Sequence, residues 1–262
     1  MADSPWNPTQ YNRFRAERQQ PLLDLVALVE ARPGLRVVDL GCGTGETTRL
    51  LHDRLPGAET LGLDSAETML ADSAAFATAG LRFARAEIDA FAPAAAYDLI
   101  FSNAALHWLP DHAALFARLR RGLAAGGQLA VQMPANFDYP SHTVAARVAG
   151  EPPFREALRG FAVGTPVHAP AWYAALLHRL GFARQHVRLQ VYAHLLDAPG
   201  DVVEWVRGTL LTAYQRHLPA DLWPAYLARY RAELLAELPD ERPFFYPFKR
   251  LLLWGQLPRG AG

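Results

Sequence analysis

Several residue types that would mark a disulfide-rich, metal-binding or nucleic-acid-binding protein are scarce in this sequence. Cys42 is the one cysteine among 262 residues, which excludes an internal disulfide and a thiolate zinc cage. The 26 basic and 26 acidic residues cancel, so the net charge gives no electrostatic sign of nucleic-acid or anionic-membrane binding. Lys249 is the only lysine, and in so arginine-rich a chain a single arginine is weak evidence for a binding site.

Long apolar runs are also absent. No continuous apolar stretch approaches the roughly 18 residues of a membrane span, and residues 1–15 lack the apolar core of a signal peptide. Apolar residues still make up 51% of the chain and charged residues 20%, which is typical of a globular protein that buries its own core. We therefore expect a soluble, cytoplasmic protein without nucleic-acid or membrane partners.

The first half of the chain alternates short apolar runs with amphipathic stretches. Strands are predicted over residues 35–40, 59–64, 81–86, 97–102 and 128–133. Helical stretches lie between most of them, and this alternation is typical of a parallel sheet built from βαβ units.

The second half follows a different pattern. We expect residues 135–170 to be irregular. Beyond them the pattern predicts a helix over about 170–180, a strand over 184–195, two helices over 199–238 separated at Pro219, and a last strand over 244–257.

A glycine-rich turn, Asp39-Leu-Gly-Cys-Gly-Thr-Gly45, follows the first predicted strand. Glycines at such a point let the backbone approach a ligand closely. Gly41 and Gly43 fit the first two positions of the dinucleotide fingerprint G-x-G-x-x-G, but the third position falls on Glu46. A carboxylate there would meet the ligand's anion, which argues against a pyrophosphate and against an NAD-dependent oxidoreductase.

Acidic residues stand at the ends of the first two strands. Asp39 suits a cationic ligand, which also argues against a pyrophosphate. Asp64 is placed to accept hydrogen bonds from a ribose diol. Ser65, directly after it, is the predicted N-cap of the next helix.

The glycine-rich turn, Asp64 and the strand Tyr97-Asp-Leu-Ile-Phe-Ser-Asn103 together resemble the class I S-adenosylmethionine-dependent methyltransferases. The resemblance implies an α/β fold: a Rossmann-like, seven-stranded, mostly parallel sheet with the last strand antiparallel. It also implies that S-adenosylmethionine is the cofactor. The residues it assigns to cofactor binding are Asp39, Gly41 and Gly43 at the methionine end, Asp64 at the ribose, Glu87 and Ile88 at the adenine, and Asn103 and Trp108 near the methyl group.

A narrower resemblance, to the trans-aconitate 2-methyltransferase family, covers almost the whole chain. The motifs that carry it are Trp6-Asn-Pro-x-x-Tyr11-x-x-Phe14-x-x-Glu17-Arg18, Asn103-Ala-x-Leu-x-Trp108-Leu-Pro-Asp-His112, Leu129-Ala-Val-Gln-Met-Pro134, Glu204-Trp-Val-Arg-Gly-Thr209 and Tyr246-Pro-Phe-Lys-Arg-Leu251. This family methylates one carboxylate oxygen of a small tricarboxylate, giving a monomethyl ester. The resemblance implies one methyltransferase domain over 1–262, with a lid over 1–20 that brings Trp6, Tyr11 and Arg18 to the cofactor. It also implies a helical cap over 199–240.

A polycarboxylate substrate needs a positively charged pocket with hydrogen-bond donors. The candidates for contact with it are His107, Trp108, His142, Arg207, Tyr246, Lys249 and Arg250. A carboxylate nucleophile is ionised at pH 7, so no general base is required. His107 is the candidate catalytic base if the nucleophile is instead a neutral hydroxyl or amine.

The sequence departs from the narrower family in the cap. Leu210-Leu-Thr-Ala-Tyr214 stands where the family has glycine–leucine–arginine–proline, and Pro243-Phe-Phe-Tyr-Pro-Phe248 is unusually aromatic. These changes leave the identity of the acid open. Methylation of a malonyl thioester on a carrier protein, and a binding module without activity, stay as alternatives.

No metal site is assigned, because His107 and His112 are five residues apart and do not share a helical face. Monomer and homodimer are not distinguished.

Overall fold

The computed structural model describes residues 15–92, 96–164 and 166–259, with the backbone alone for 15–18. Within these ranges the strands are β1 (Arg36–Leu40), β2 (Glu59–Asp64), β3 (Leu81–Arg85), β4 (Tyr97–Asn103), β5 (Leu123–Pro134), β6 (Arg184–Leu196) and β7 (Phe244–Gln256). The helices are α1 (Arg15–Val26), α2 (Glu46–His52), α3 (Glu67–Leu70), α4 (His112–Gly122), α5 (Pro140–Ala149), α6 (Phe154–Leu158), α7 (Pro170–Arg179), α8 (Asp201–Arg207), α9 (Leu210–His217) and α10 (Trp223–Glu237).

The seven strands form one sheet in the order β3-β2-β1-β4-β5-β7-β6. The pairs β1–β2, β2–β3, β1–β4 and β4–β5 are parallel, and β7 is antiparallel to β5. Four of the five residues of β1 are buried, as expected for a parallel strand with helices on both faces of its sheet. The predicted α/β fold, a Rossmann-like and mostly parallel sheet with an antiparallel last strand, is confirmed.

The chain divides into two compact units. Within the described residues, the sheet unit contains residues 19–92, 96–135, 166–190 and 250–259. Its core is formed by apolar side chains of the strands and of the helices packed on them, among them Ile100, Leu119, Val131 and Leu177. On α4 the buried residues Leu115, Phe116 and Leu119 recur with helical spacing, so this helix turns one apolar stripe toward the core.

Within the described residues, the helical unit contains residues 15–18, 136–164 and 191–249. Its core includes three fully buried tyrosines, Tyr214, Tyr226 and Tyr230. The hydroxyl of Tyr226 donates to the carbonyl of Ala145 at 2.9 Å, and that of Tyr230 donates to the carbonyl of Ser141 at 3.1 Å. These bonds satisfy polar groups that burial would otherwise leave unpaired, and they connect α10 to α5.

Two predictions for the helical unit were wrong. The segment expected to be irregular contains α5 and α6, and the buried residues Val144, Ala145, Val148 and Ala149 give α5 a short apolar stripe. The region expected to hold two helices holds three, because Gly208 ends α8 before α9 begins. In both cases the helices are short, so each shows too few turns for a clear periodicity in the sequence. No helix in the described part of the chain is long and apolar enough to cross a membrane.

Candidate functional site

The glycine-rich turn leaves β1 and enters α2 in a backbone conformation that requires glycine. Gly43 has φ +57°, and the nearest side-chain atom to a Cβ built there is the terminal methyl of Met69, 3.2 Å away. A Cβ on Gly41 would lie 2.2 Å from the Cβ of Ala105, and one on Gly45 would lie 2.7 Å from the ring of Phe83. Gly41 and Gly45 therefore allow close packing against fixed groups, whereas a Cβ on Gly43 would contact the end of one flexible side chain.

Asp39 is a buried carboxyl group with one unused oxygen. Its Oδ2 accepts a hydrogen bond from Thr48 Oγ1 at 2.6 Å, and its Oδ1 has no partner among the described residues. The pKa of Asp39 is raised to about 7, mainly by burial; the hydrogen bond from Thr48 opposes this rise and the charge of Asp64 adds to it. An acid in this state gains from a bound cation or donor, so Asp39 fits a ligand that carries an ammonium group.

Asp64 connects the glycine-rich turn to α3. Its Oδ2 accepts from the backbone N–H of Gly43 and its Oδ1 from the N–H of Ala66, both at 2.9 Å. The prediction that Ser65 caps this helix was wrong: Ala66 is the N-cap residue, and the Asp64 carboxylate accepts its N–H. Each carboxylate oxygen keeps a further lone pair, which leaves Asp64 able to accept from a ribose diol.

The residues expected near the adenine follow β3. Glu87 is exposed and precedes a 3₁₀ turn, Ile88–Ala90. Ile88 reaches the glycine-rich turn, since its Cδ1 lies 3.8 Å from the position that a Gly41 Cβ would take. A charged acceptor and an apolar surface thus stand side by side at this edge of the sheet.

The end of β4 and the loop that follows it carry the residues expected near the methyl group. Asn103 ends β4, and its buried Oδ1 lacks a hydrogen-bond partner within the described ranges. A 3₁₀ turn, Leu106–Trp108, follows. The rings of His107 and Trp108 pack together with centroids 4.6 Å apart, and Trp108 is 55% exposed, which is unusual for a residue of this size. The loop therefore presents two aromatic rings beside a polar strand end.

Gln132 on β5 lies within one of the family motifs, but the sequence analysis gave it no role at the site. It pairs with Asn103 across β4 and β5 and is fully buried. The guanidinium of Arg250 on β7 approaches it, with Nη1 3.5 Å from Gln132 Oε1, and Arg250 is itself 8% exposed. The signal available in the sequence was a glutamine inside the apolar run Leu129–Met133, since an uncharged polar group in a buried strand needs a partner.

The remaining substrate candidates lie in the helical unit. Arg207 is exposed and forms an ion pair with Glu204 at 3.2 Å, and Lys249 pairs with Asp138. Tyr246 is fully buried, and its hydroxyl accepts from Nδ2 of Asn136 at 3.5 Å.

His142 is the third residue of α5 and is half-buried. Its Nδ1 lies 3.1 Å from the hydroxyl of Ser141, and its ring packs edge-on against Phe137. Burial lowers the pKa of His142 to about 4, so this side chain is neutral at pH 7. The expectation that it adds positive charge to a pocket is therefore wrong, although it can still form hydrogen bonds.

The lid expected over residues 1–20 falls mostly outside the described residues. Trp6, Tyr11 and the side chain of Arg18 belong to that part. Across residues 15–92, 96–164 and 166–259, no group of three or more histidine, cysteine or acidic side chains could hold a metal ion.

The sheet order and the groups at the carboxyl ends of β1, β2 and β4 define a class I S-adenosylmethionine-dependent methyltransferase. A family model described as a methyltransferase domain matches residues 37–127. The chain is 44% identical to the trans-aconitate 2-methyltransferase of Deinococcus radiodurans, over 97% of this chain and 98% of that one. It is also 44% identical to the Azoarcus protein of the same name, over 95% and 97%. The chain belongs to the trans-aconitate 2-methyltransferase family.

A solved structure, the YcgJ protein from Bacillus subtilis, shares the fold. It aligns with a TM-score of 0.61 over 92% of this chain and 100% of its own, at 16% sequence identity.

Proposed function

We propose that this enzyme transfers a methyl group from S-adenosylmethionine to one carboxylate oxygen of a small polycarboxylic acid, and that trans-aconitate is its substrate. The product is a monomethyl ester. The observation that carries the proposal is the 44% identity to relatives named for this reaction, which extends over nearly the full length of both chains. The relatives thus match the helical unit as well as the sheet unit.

The chain's own groups suit the cofactor. Asp39 offers an unpaired, buried carboxylate oxygen to an ammonium group, and Gly43 lets the backbone of the turn approach a ligand without a side chain in between. Asp64 offers acceptors to the ribose, and Glu87 with Ile88 offers an acceptor and an apolar surface to the adenine. When bound, S-adenosylmethionine supplies a methyl group activated on a positively charged sulfonium.

The residues have little acid–base chemistry to perform if the nucleophile is a carboxylate. Carboxyl groups of small acids are ionised at pH 7, so no side chain has to remove a proton. The enzyme then acts by positioning, which can supply up to ~7–11 kcal/mol when reacting atoms are held at near-attack distance. We assign His107 and Trp108 to positioning and to exclusion of water from the carboxylate.

Arg250, Arg207 and Tyr246 are proposed to contact the acid. Arg250 is the most buried of the cationic candidates and lies beside Gln132. Arg207 is held by an exposed ion pair to Glu204, three residues earlier on the same helix. Exposed pairs of this kind contribute only about 0.3–0.5 kcal/mol, so a substrate carboxylate can displace Glu204. His142 and Tyr246 supply neutral hydrogen-bonding groups.

A substrate panel tests the proposal. The purified enzyme is incubated with S-adenosylmethionine carrying a labelled methyl group and, separately, with trans-aconitate, cis-aconitate, citrate, a monocarboxylic acid and a malonyl thioester. We expect trans-aconitate to give the highest kcat/KM and a monomethyl ester by mass spectrometry. Methylation of the thioester alone, or of no carboxylic acid, would contradict the proposal.

A further inference from the structure

Gln132 is a fully buried side chain whose hydrogen bonds are incomplete. Its Oε1 lies 3.5 Å from Nη1 of Arg250, and its Nε2 has no partner among residues that the structure describes. A guanidinium group only donates hydrogen bonds, so the amide oxygen has to face Arg250. The two N–H donors of the amide therefore point elsewhere and remain unsatisfied, which is a costly state for a buried group.

The register of the sheet places this amide at the candidate site. Gln132 pairs with Asn103, and the backbone N–H of Ala104 donates to the carbonyl of Gln132 at 2.9 Å. Gln132 also pairs with Leu252 on β7, and side chains two residues apart on a strand share one face, so Arg250 lies on the same face. Gln132 and Arg250 thus stand beside the strand end that leads into the loop of His107 and Trp108.

The glycine-rich turn is at the same level of the sheet. Asp39 pairs with Phe101, so two residues further along both strands Gly41 stands level with Asn103. Adjacent strands are about 4.8 Å apart, which puts the backbone of Gln132 roughly 10 Å from that of Gly41. A small acid bound by Gln132 is therefore close enough to reach a cofactor bound at the glycine-rich turn.

We propose that Gln132 Nε2 and the guanidinium of Arg250 together bind one carboxylate group of the substrate. The pair presents donors only and carries one positive charge, which matches an acceptor-only anion with two oxygens. The site would reject the corresponding amide or ester, since neither satisfies both partners. This inference rests on the proposed function and adds a specificity-determining residue to it.

The carboxylate bound by this pair is an anchor and is not the group that is methylated. Its oxygens accept charge-assisted hydrogen bonds from Gln132 and Arg250. The lone pairs engaged in these bonds are less available for nucleophilic attack on a methyl group. The reacting carboxylate must then be a different one on the same molecule. The substrate class that follows is an acid with at least two carboxyl groups, and a monocarboxylate would occupy the anchor without reacting.

Two methionine variants on the same strand separate binding from structural support. Gln132→Met keeps the length of the side chain and removes the amide. Gln128→Met is the matched control, because Gln128 lies four residues earlier on the same face and its amide bonds Glu30 and Trp254. The measurements are KM for trans-aconitate, the affinity for S-adenosylmethionine by calorimetry, and the thermal midpoint.

For Gln132→Met we expect KM for trans-aconitate to rise at least about tenfold, as the loss of a hydrogen bond to a charged group implies. Cofactor affinity should stay within about threefold and the thermal midpoint close to that of the parent. Gln128→Met should lower the midpoint and leave KM unchanged. An unchanged KM in Gln132→Met, or a midpoint lowered as much as in Gln128→Met, would overturn the inference.

Direct binding distinguishes this inference from the proposed function. Titration of trans-aconitate, itaconate and crotonate, which carry three, two and one carboxyl groups, is done with S-adenosylhomocysteine present. If all three acids bind the parent and bind Gln132→Met more weakly, the anchor is supported. If in addition no acid is methylated, only the proposed function fails. If the parent methylates trans-aconitate and Gln132→Met binds it equally well, only the anchor fails.

Discussion

The hydroxyl of Tyr173 donates a hydrogen bond to Nδ1 of His112, and Nε2 of His112 donates to the carbonyl of Leu106 at 3.1 Å. The tyrosine oxygen in turn accepts from the backbone N–H of His168. A carbonyl oxygen only accepts hydrogen bonds, so His112 must carry its proton on Nε2. Its Nδ1 is then the acceptor for the Tyr173 hydroxyl. Burial lowers the pKa of His112, which keeps this neutral form at pH 7. The buried pair thereby fixes the 3₁₀ turn that carries His107 and Trp108.

The first prediction concerns this pair. Tyr173→Phe should lower kcat at least several-fold, because it leaves His112 Nδ1 unpaired and loosens the turn, while cofactor affinity changes little. The free energy of unfolding should fall by about 1–3 kcal/mol. Tyr226→Phe is the control: it removes an equally buried hydroxyl that bonds Ala145 and should reduce stability without a comparable loss in kcat. Equal kcat values in the two variants would show that the pair supports the core and not the turn.

The second prediction follows from the raised pKa of Asp39. Between pH 4 and about 7 the native free enzyme binds a proton there that the unfolded chain does not, so ionisation costs stability as pH rises through this window. A bound ammonium group favours the ionised carboxylate. Affinity for S-adenosylmethionine should therefore rise from pH 5 to about 7 and then level off, with proton release on binding below pH 7.

Calorimetry in two buffers of different ionisation enthalpy measures that proton. Asp39→Asn can still accept the hydrogen bond from Thr48 but has no carboxyl group to ionise. Its affinity for S-adenosylmethionine should therefore be lower and nearly independent of pH. If proton release is the same in Asp39→Asn and in the parent, another group is responsible.

The third prediction contrasts two glycines of one turn. Gly43→Ala places a methyl group 3.2 Å from the end of the flexible Met69 side chain, and the positive φ adds strain of about 1–2 kcal/mol. The protein should stay folded and lose most of its cofactor affinity. Gly45→Ala puts a Cβ 2.7 Å from the ring of Phe83, so the main effect of this variant should be a loss of thermal stability. Thermal unfolding and titration with S-adenosylhomocysteine check both, and an unaltered affinity in Gly43→Ala would remove that residue from the site.

The sequence was sufficient for the sheet because each buried strand is a local apolar run. The predicted bounds of β2 agree with the structure to the residue. Local patterns could not show that the Asp64 carboxylate accepts from both Gly43 and Ala66, since that bond pattern depends on how the turn and α3 approach each other. For the same reason the interaction of Gln132 with Arg250, 118 residues apart, was beyond motif analysis.

The last prediction compares the two arginines assigned to the acid. Arg250 is buried beside Gln132, whereas the side chain of Arg207 is 43% exposed and already paired with Glu204. Lysine cannot reproduce the two parallel donors of a guanidinium toward a carboxylate. Arg250→Lys should therefore raise KM for trans-aconitate about tenfold or more, since charged hydrogen bonds contribute about 1.5–3 kcal/mol.

Arg207→Lys should raise KM by less than about threefold, because lysine keeps the charge and the pairing with Glu204 is weak to begin with. Neither variant should change cofactor affinity, which calorimetry measures separately. A monocarboxylate, which is held by the anchor alone, should lose binding affinity to a similar degree in Arg250→Lys. If Arg207→Lys is the more damaging of the two, the carboxylate is recognised by α8, and the buried pair of Gln132 and Arg250 serves the sheet instead.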